Sequence, residues 1–249
     1  MKKFLIAASM AGVASAVLIG GAMAATYTLF GGAELTSPGN ASNNAVSLVS
    51  DLSDTDATND YSGVDFEVPD GLTFGDLTEL ATDYNVTDDD CGGGSPRFVI
   101  GLDEDNNGSE DGYIAVYIGP SPSFTDCMTG WQSTGNLIGN DDAGRYDATF
   151  IGGPLGTYDD VAALYEDATI TSIQLIVDSG WSADASNGDS EQEVLVDNVN
   201  INGDVTTFEP ATPETAASCK KGGWEDLFRA DGSAFKNQGD CIQYVNTGR

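Results

Sequence analysis

Apolar and polar residues alternate with a period of two along much of this chain. Val64, Phe66 and Val68 form one such set, and Phe98, Ile100 and Leu102 a second. Ile114, Val116 and Ile118 form a third, and Ile173, Leu175 and Val177 a fourth. Leu195, Asp197, Val199 and Ile201 continue the pattern. Successive side chains of a strand point to opposite faces, so this period predicts strands with one buried face. Clusters of Gly, Asn, Asp and Ser separate the sets at spacings that suit a sandwich. Further strands are expected over 26–30, 45–50, 78–82, 132–138 and 146–151. One stretch breaks the rhythm: Tyr158 to Asp167 places Val161, Leu164 and Tyr165 at helical spacing behind early acids. The expected fold is all-β, an antiparallel β-sandwich with one short helix.

The charges are distributed as unevenly as the pattern is regular. The sequence holds 9 Lys and Arg against 40 Asp and Glu, and no His. Between residues 25 and 218 stand two cations, Arg97 and Arg145, against 36 acids, a net of −34. Residues 219–249 carry five cations and four acids. An anionic body of this kind repels nucleic acid and anionic lipid, which excludes both as partners.

Residues 1–24 read as a secretory signal. Lys2 and Lys3 precede an apolar run, and Ala22-Met23-Ala24 matches a cleavage site. The expected product is exported, with no membrane insertion after the signal is removed. The rest divides into an acidic β-sandwich over 25–205, a linker over 206–218 rich in Pro, Thr and Ala, and a cysteine-bounded module over 219–249. An exported chain with four cysteines, Cys91, Cys127, Cys219 and Cys241, is expected to hold two disulfides. Three pairings are open. Cys91–Cys127 and Cys219–Cys241 are favoured, because each pair then stays within one compositional unit, and each would stabilise by about 3–4 kcal/mol. Full pairing leaves no thiol nucleophile, and the absence of His removes Ser-His and Cys-His catalysis.

Asp103-Glu104-Asp105-Asn106-Asn107-Gly108-Ser109-Glu110-Asp111 spaces oxygen ligands as a Ca²⁺ loop does, with a glycine for the sharp turn. Asp103, Asp105, Asn107 and Asp111 are the expected ligands, with Glu110 able to replace Asp111. Ile114 stands where an EF-hand carries its bidentate Glu. The bland alternative is an acidic hairpin turn. No carboxylate pair stands out for hydrolysis among so many acids. Trp131 and Trp181 each follow a glycine in a loop-like run, and Tyr113 and Tyr117 share the face opposite Ile114 and Val116. Aromatic faces of this kind stack on sugar rings; their other use is as core.

Val194-Leu195-Val196-Asp197-Asn198-Val199-Asn200-Ile201 resembles the closing strand of jelly-roll carbohydrate-binding modules. The resemblance implies a jelly-roll-like sandwich and makes Asp197 a candidate structural-calcium ligand. Cys219-Lys220-Lys221-Gly222-Gly223-Trp224, followed by Phe235-Lys236-Asn237-Gln238-Gly239-Asp240-Cys241, resembles a C-terminal signature of secreted bacterial proteins with no assigned activity. Together these readings lead to a secreted, non-catalytic, calcium-stabilised sandwich that binds a polysaccharide or cell-wall glycan, with no enzyme activity. The alternatives are a structural or adhesive surface protein with an ion-binding acidic coat, and a glycosidase or lyase on the same fold. The oligomeric state is not legible.

Overall fold

Two antiparallel sheets enclose one apolar core in the computed structural model, which describes residues 27–53, 60–183, 190–225 and 227–249. The expected export signal lies outside the described residues. Along the chain run β1 (Tyr27–Gly31), β2 (Glu34–Thr36), β3 (Ala45–Asp51), β4 (Tyr61–Phe66) and β5 (Leu80–Asp88). Next come β6 (Arg97–Asp103), β7 (Gly112–Tyr117), β8 (Gln132–Ser133), β9 (Tyr146–Asp147) and β10 (Leu155–Gly156). Helix α1 (Tyr158–Tyr165) precedes β11 (Thr169–Asp178), β12 (Glu191–Ile201), β13 (Asp204–Thr206) and the C-terminal α2 (Gln238–Thr247).

One sheet has seven strands in the order β1-β4-β11-β6-β7-β9-β10, and the other six, with β2-β3-β12-β5-β8 in line and β13 paired to β12. The chain passes repeatedly from one sheet to the other, which makes the sandwich jelly-roll-like. The alternating sets supply the core. Val64, Phe98, Ile100, Leu102, Ile114, Val116, Leu175 and Val177 are fully buried, facing Val46, Leu48, Leu80, Val194 and Val196 from the six-stranded sheet. Fully burying one such side chain stabilises by about 1.5–3 kcal/mol.

β12 departs from its expected phase. Val194 and Val196 face the core, while Leu195 points outward. A bulge between Asp197 and Asn200, with Asn198 at φ +50°, then returns Val199 to the core. The strands expected over 132–138 and 146–151 each shorten to two residues, the second giving way to a 3-10 turn at Thr149–Ile151. Helix α1 starts at a capping box, in which Asp160 N–H donates to Thr157 Oγ1 and Thr157 N–H to the Asp160 carboxylate. It buries Val161 and Tyr165 but leaves Leu164 60% exposed.

The segment 206–218, expected to be a linker, is fastened to the sandwich at its start. Thr206 belongs to β13, and Phe208 is buried in the core, edge-on to Tyr27 at 5.0 Å. The Glu209 carboxylate accepts from the Asn43 and Asn44 backbone amides and from Asn43 Nδ2, which also donates to the Ala230 carbonyl. Of these bonds, the one from Asn43 Nδ2 to the Ala230 carbonyl joins the C-terminal module to the sandwich directly. The module's lysines take part in none of the ion pairs among the described residues. The disulfides join Cys91 to Cys127 and Cys219 to Cys241. Around the second, Leu227 and Phe235 bury a small core of their own.

Candidate functional site on the seven-stranded sheet

The inward phase of β6, β7 and β11 fixes what their outer face presents. With Phe98, Ile100, Ile114, Val116, Leu175 and Val177 inside, Arg97, Tyr113, Tyr117 and Asp178 stand outside. Register places Tyr117 opposite Arg97, Arg97 opposite Ile176, and Tyr113 opposite Gly101. A depression of about 260 Å³ opens here, lined by Arg97, Tyr113, Tyr117, Phe150 and Asp178, with Gly93 and Gly180 at its wall.

Aromatic rings form one side of this depression. Tyr113 stacks on Phe150 with ring centroids 4.4 Å apart and planes 17° from parallel. Phe150, on the 3-10 turn after β9, remains 49% exposed. Tyr117 donates its hydroxyl to Asp147 Oδ2 at 2.8 Å. Its ring lies against the backbone of Gly94, where an added Cβ would come within 2.6 Å of Tyr117 Cε1; Gly94 itself has φ +87°. A side chain at residue 94 would push that ring aside. Cys91–Cys127 fastens the strand of chain that carries Gly94.

The polar side is an ion pair. Arg97 donates from Nη2 to Asp178 Oδ2 and from Nη1 to the Gly94 carbonyl at 3.1 Å. Burial works against charge on both partners, but the pairing wins: Asp178 is held below the usual carboxylate range by the Arg97 guanidinium and the Gly180 amide, and Arg97 is pushed up. Tyr117 is pushed well up, by burial first and then by the hydrogen bond to Asp147 and its charge. Burial also raises Tyr113, with Arg97 opposing. In this environment neither phenol gives up a proton near neutral pH, and Asp178 does not carry one. The groove therefore offers rings and fixed hydrogen-bonding groups.

The other expected site residues do not join this groove. Trp181 is 1% exposed and donates from its indole to Ser50 Oγ at 3.0 Å, inside the molecule. Its expected role as a loop platform for sugar is corrected: it is a core residue, whose polar edge finds a buried hydroxyl. Trp131 is half-buried beside β8. It directly precedes β8, the edge strand of the six-stranded sheet, and so does not belong to the sheet that carries Tyr113 and Tyr117.

The acidic loop between β6 and β7 gathers three of its expected ligands. Carboxylate oxygens of Asp103, Asp105 and Asp111 lie within 4.8 Å of one another. Asp103 is buried and accepts from the Asn107 and Gly108 amides, and Asp111 from the Glu104 amide. Asn107 turns its side-chain oxygen to the Ser109 amide. Glu110 leaves the cluster: its Oε2 accepts from Thr171 Oγ1 at 2.8 Å and Ser172 Oγ at 3.3 Å, on β11.

Asp197 lies elsewhere, on the six-stranded sheet. It accepts from the Asn40 amide, Ser42 Oγ and the Asn198 amide, while Asp83 beside it accepts from Asn40 Nδ2 and Asn198 Nδ2. Burial pushes Asp197 up, against the pull of its donors. The loop and Asp197 are thus two separate oxygen-rich places.

Sequence reasoning missed Phe150, Asp147 and Asp178. Phe150 was absorbed into an expected strand, and acids are too common here to single out two. A signal did exist for Arg97, as one of two cations in the entire body.

No protein-family model and no curated protein matches the chain. Two solved structures are similar to it. One is the solution structure of CtCBM11, at 15% identity and a TM-score of 0.40 over 70% of this chain and 82% of that one. The other is a family 11 carbohydrate-binding module from Clostridium thermocellum in complex with a beta-1,3-1,4-mixed-linked tetrasaccharide. It aligns at 16% identity and a TM-score of 0.37 over 74% of this chain and 91% of that one.

Proposed function

We propose that this protein is an exported, non-catalytic sandwich that binds a polysaccharide or cell-wall glycan on the outer face of its seven-stranded sheet. The observation that carries this is the stacked Tyr113–Phe150 pair beside Tyr117 and the Arg97–Asp178 ion pair. Rings offer apolar faces to the CH-rich faces of sugars, and fixed charged groups meet their hydroxyls. Asp178, held below the usual carboxylate range by Arg97, suits a fixed hydrogen-bonding partner for sugar hydroxyls and not a general acid, which needs a carboxyl pushed up.

Calcium is part of the same reading. The convergence of Asp103, Asp105 and Asp111 supports the loop as its first place, and Asp197, with Asp83 opposite it on β5, is the proposed second. Both would steady the fold and take no part in sugar contact.

The test is affinity electrophoresis of the mature protein through gels containing soluble xylan, mannan or a cellulose derivative. Retardation of the native protein, lost in Tyr113→Ala at unchanged thermal stability, is the expected result. Native mobility in every gel, or full retardation of Tyr113→Ala, overturns the proposal.

A further inference from the structure

The Glu110 side chain lies against β6 at Gly101, where the missing Cβ leaves room for its carboxylate. An added Cβ at Gly101 would overlap the Glu110 carboxylate and Ser172 Oγ. Gly101 pairs with Tyr113 on one side and Ser172 on the other. Facing side chains on paired strands stand about 5 Å apart, so the Glu110 carboxylate sits roughly one strand spacing from the root of Tyr113. Thr171 and Ser172 hold it there by two hydroxyl donors, yet Glu110 remains exposed. A long acidic side chain on an exposed loop ordinarily points into water. This one is folded back onto the face that carries the aromatic stack.

We infer that Glu110 is a specificity-determining residue of the glycan-binding face, accepting hydroxyls of a neutral sugar whose ring stacks at Tyr113. The inference rests on the proposed binding function and deepens it. An ionised carboxylate accepts at two oxygens, which suits a pair of neighbouring hydroxyls. Two donors from the protein leave lone pairs on Glu110 for the ligand. The face also sets the charge of what it takes. Its one cation, Arg97, is neutralised by Asp178, and Glu110 and Asp147 add negative charge at either side of the stack. With no calcium in the Asp103 loop, a uronate or sulfate placed there meets repulsion, since Arg97 is already paired with Asp178. An uncharged polysaccharide meets only acceptors and rings.

The experiment compares Glu110→Gln and Glu110→Asp with the native protein on a neutral polysaccharide that retards it, and on polygalacturonate. Glu110→Gln keeps the shape and removes the charge. It should lose about tenfold in affinity for the neutral glycan, while its relative affinity for polygalacturonate rises. Glu110→Asp keeps the charge but shortens the reach, and should lose neutral-glycan affinity with no gain on polygalacturonate. A purely structural role for Glu110 would lower the unfolding temperature and leave that preference unmoved. If Tyr113→Ala loses binding but both Glu110 variants keep native affinity and preference, the role of Glu110 is overturned and glycan binding stands. If the native protein is retarded by no polysaccharide, glycan binding itself falls, and the role of Glu110 with it.

Discussion

Tyr113 and Phe150 lie face to face at 4.4 Å, one ring on a central strand and the other on a 3-10 turn near the sheet edge. Phe150 backs Tyr113 and fixes its plane. Replacing Phe150 by Ala should therefore weaken glycan binding although the Tyr113 hydroxyl and ring are retained. Stacking of this kind is worth about 1–3 kcal/mol where a ring meets a base, or roughly 5- to 150-fold in Kd. Titration calorimetry on the variant reads the loss, and an unchanged Kd would remove Phe150 from the site.

Trp181 should behave in the opposite way. It is fully enclosed and its indole satisfies Ser50. Trp181→Ala should cost about 3–5 kcal/mol of stability and leave the affinity of the folded fraction intact. Urea unfolding monitored beside glycan binding separates the two effects.

The Arg97–Asp178 pair makes part of the stability depend on pH. The folded pKa of Asp178 lies below its unfolded value, so its contribution is complete above the ordinary carboxylate value of about 3.9 and is lost as pH falls through the folded value. Asp178→Asn should cost about 1.5–3 kcal/mol near neutral pH, and the gap from the native protein should shrink as pH falls below the ordinary carboxylate value of about 3.9. Unfolding midpoints across that range check the sign. A gap that widens in acid would contradict the pairing.

Calcium should raise the thermal midpoint beyond what matched monovalent salt achieves, because a site that binds only the folded state stabilises by mass action. Asp103→Ala should remove most of that increment. Equal stabilisation by any salt would mean that the acids act as a screened cloud and that the loop is a turn.

Cys219–Cys241 should hold the C-terminal module and not the body. The module buries a small core around Leu227 and Phe235, and its disulfide closes a loop of sequence separation 22 worth about 3 kcal/mol. Replacing both cysteines by Ala should expose residues after 219 to limited proteolysis while the sandwich keeps its unfolding midpoint.

Much of the fold was legible in the residues themselves. Period-two alternation at 98–102, 114–118 and 173–177 determined strands, and it also determined that Tyr113 and Tyr117 face away from Ile114 and Val116. The pattern misled at β12, where Leu195 and Asp197 were placed in phase with Val199. A bulge inserts residues between pairs, and no periodicity in a single strand reports its partner.

What the sequence by itself determined is which side chains share a face of one strand, because that is local geometry. Tertiary structure alone decided which strands lie side by side. It brought Arg97 to Asp178, Tyr113 to Phe150 and Glu110 to Ser172, and it sent Trp181 inward to Ser50 while Trp131 went to the other sheet. Pairing between distant strands depends on register, bulges and turns acting together. A Trp after a glycine reads the same whether its loop folds outward or in.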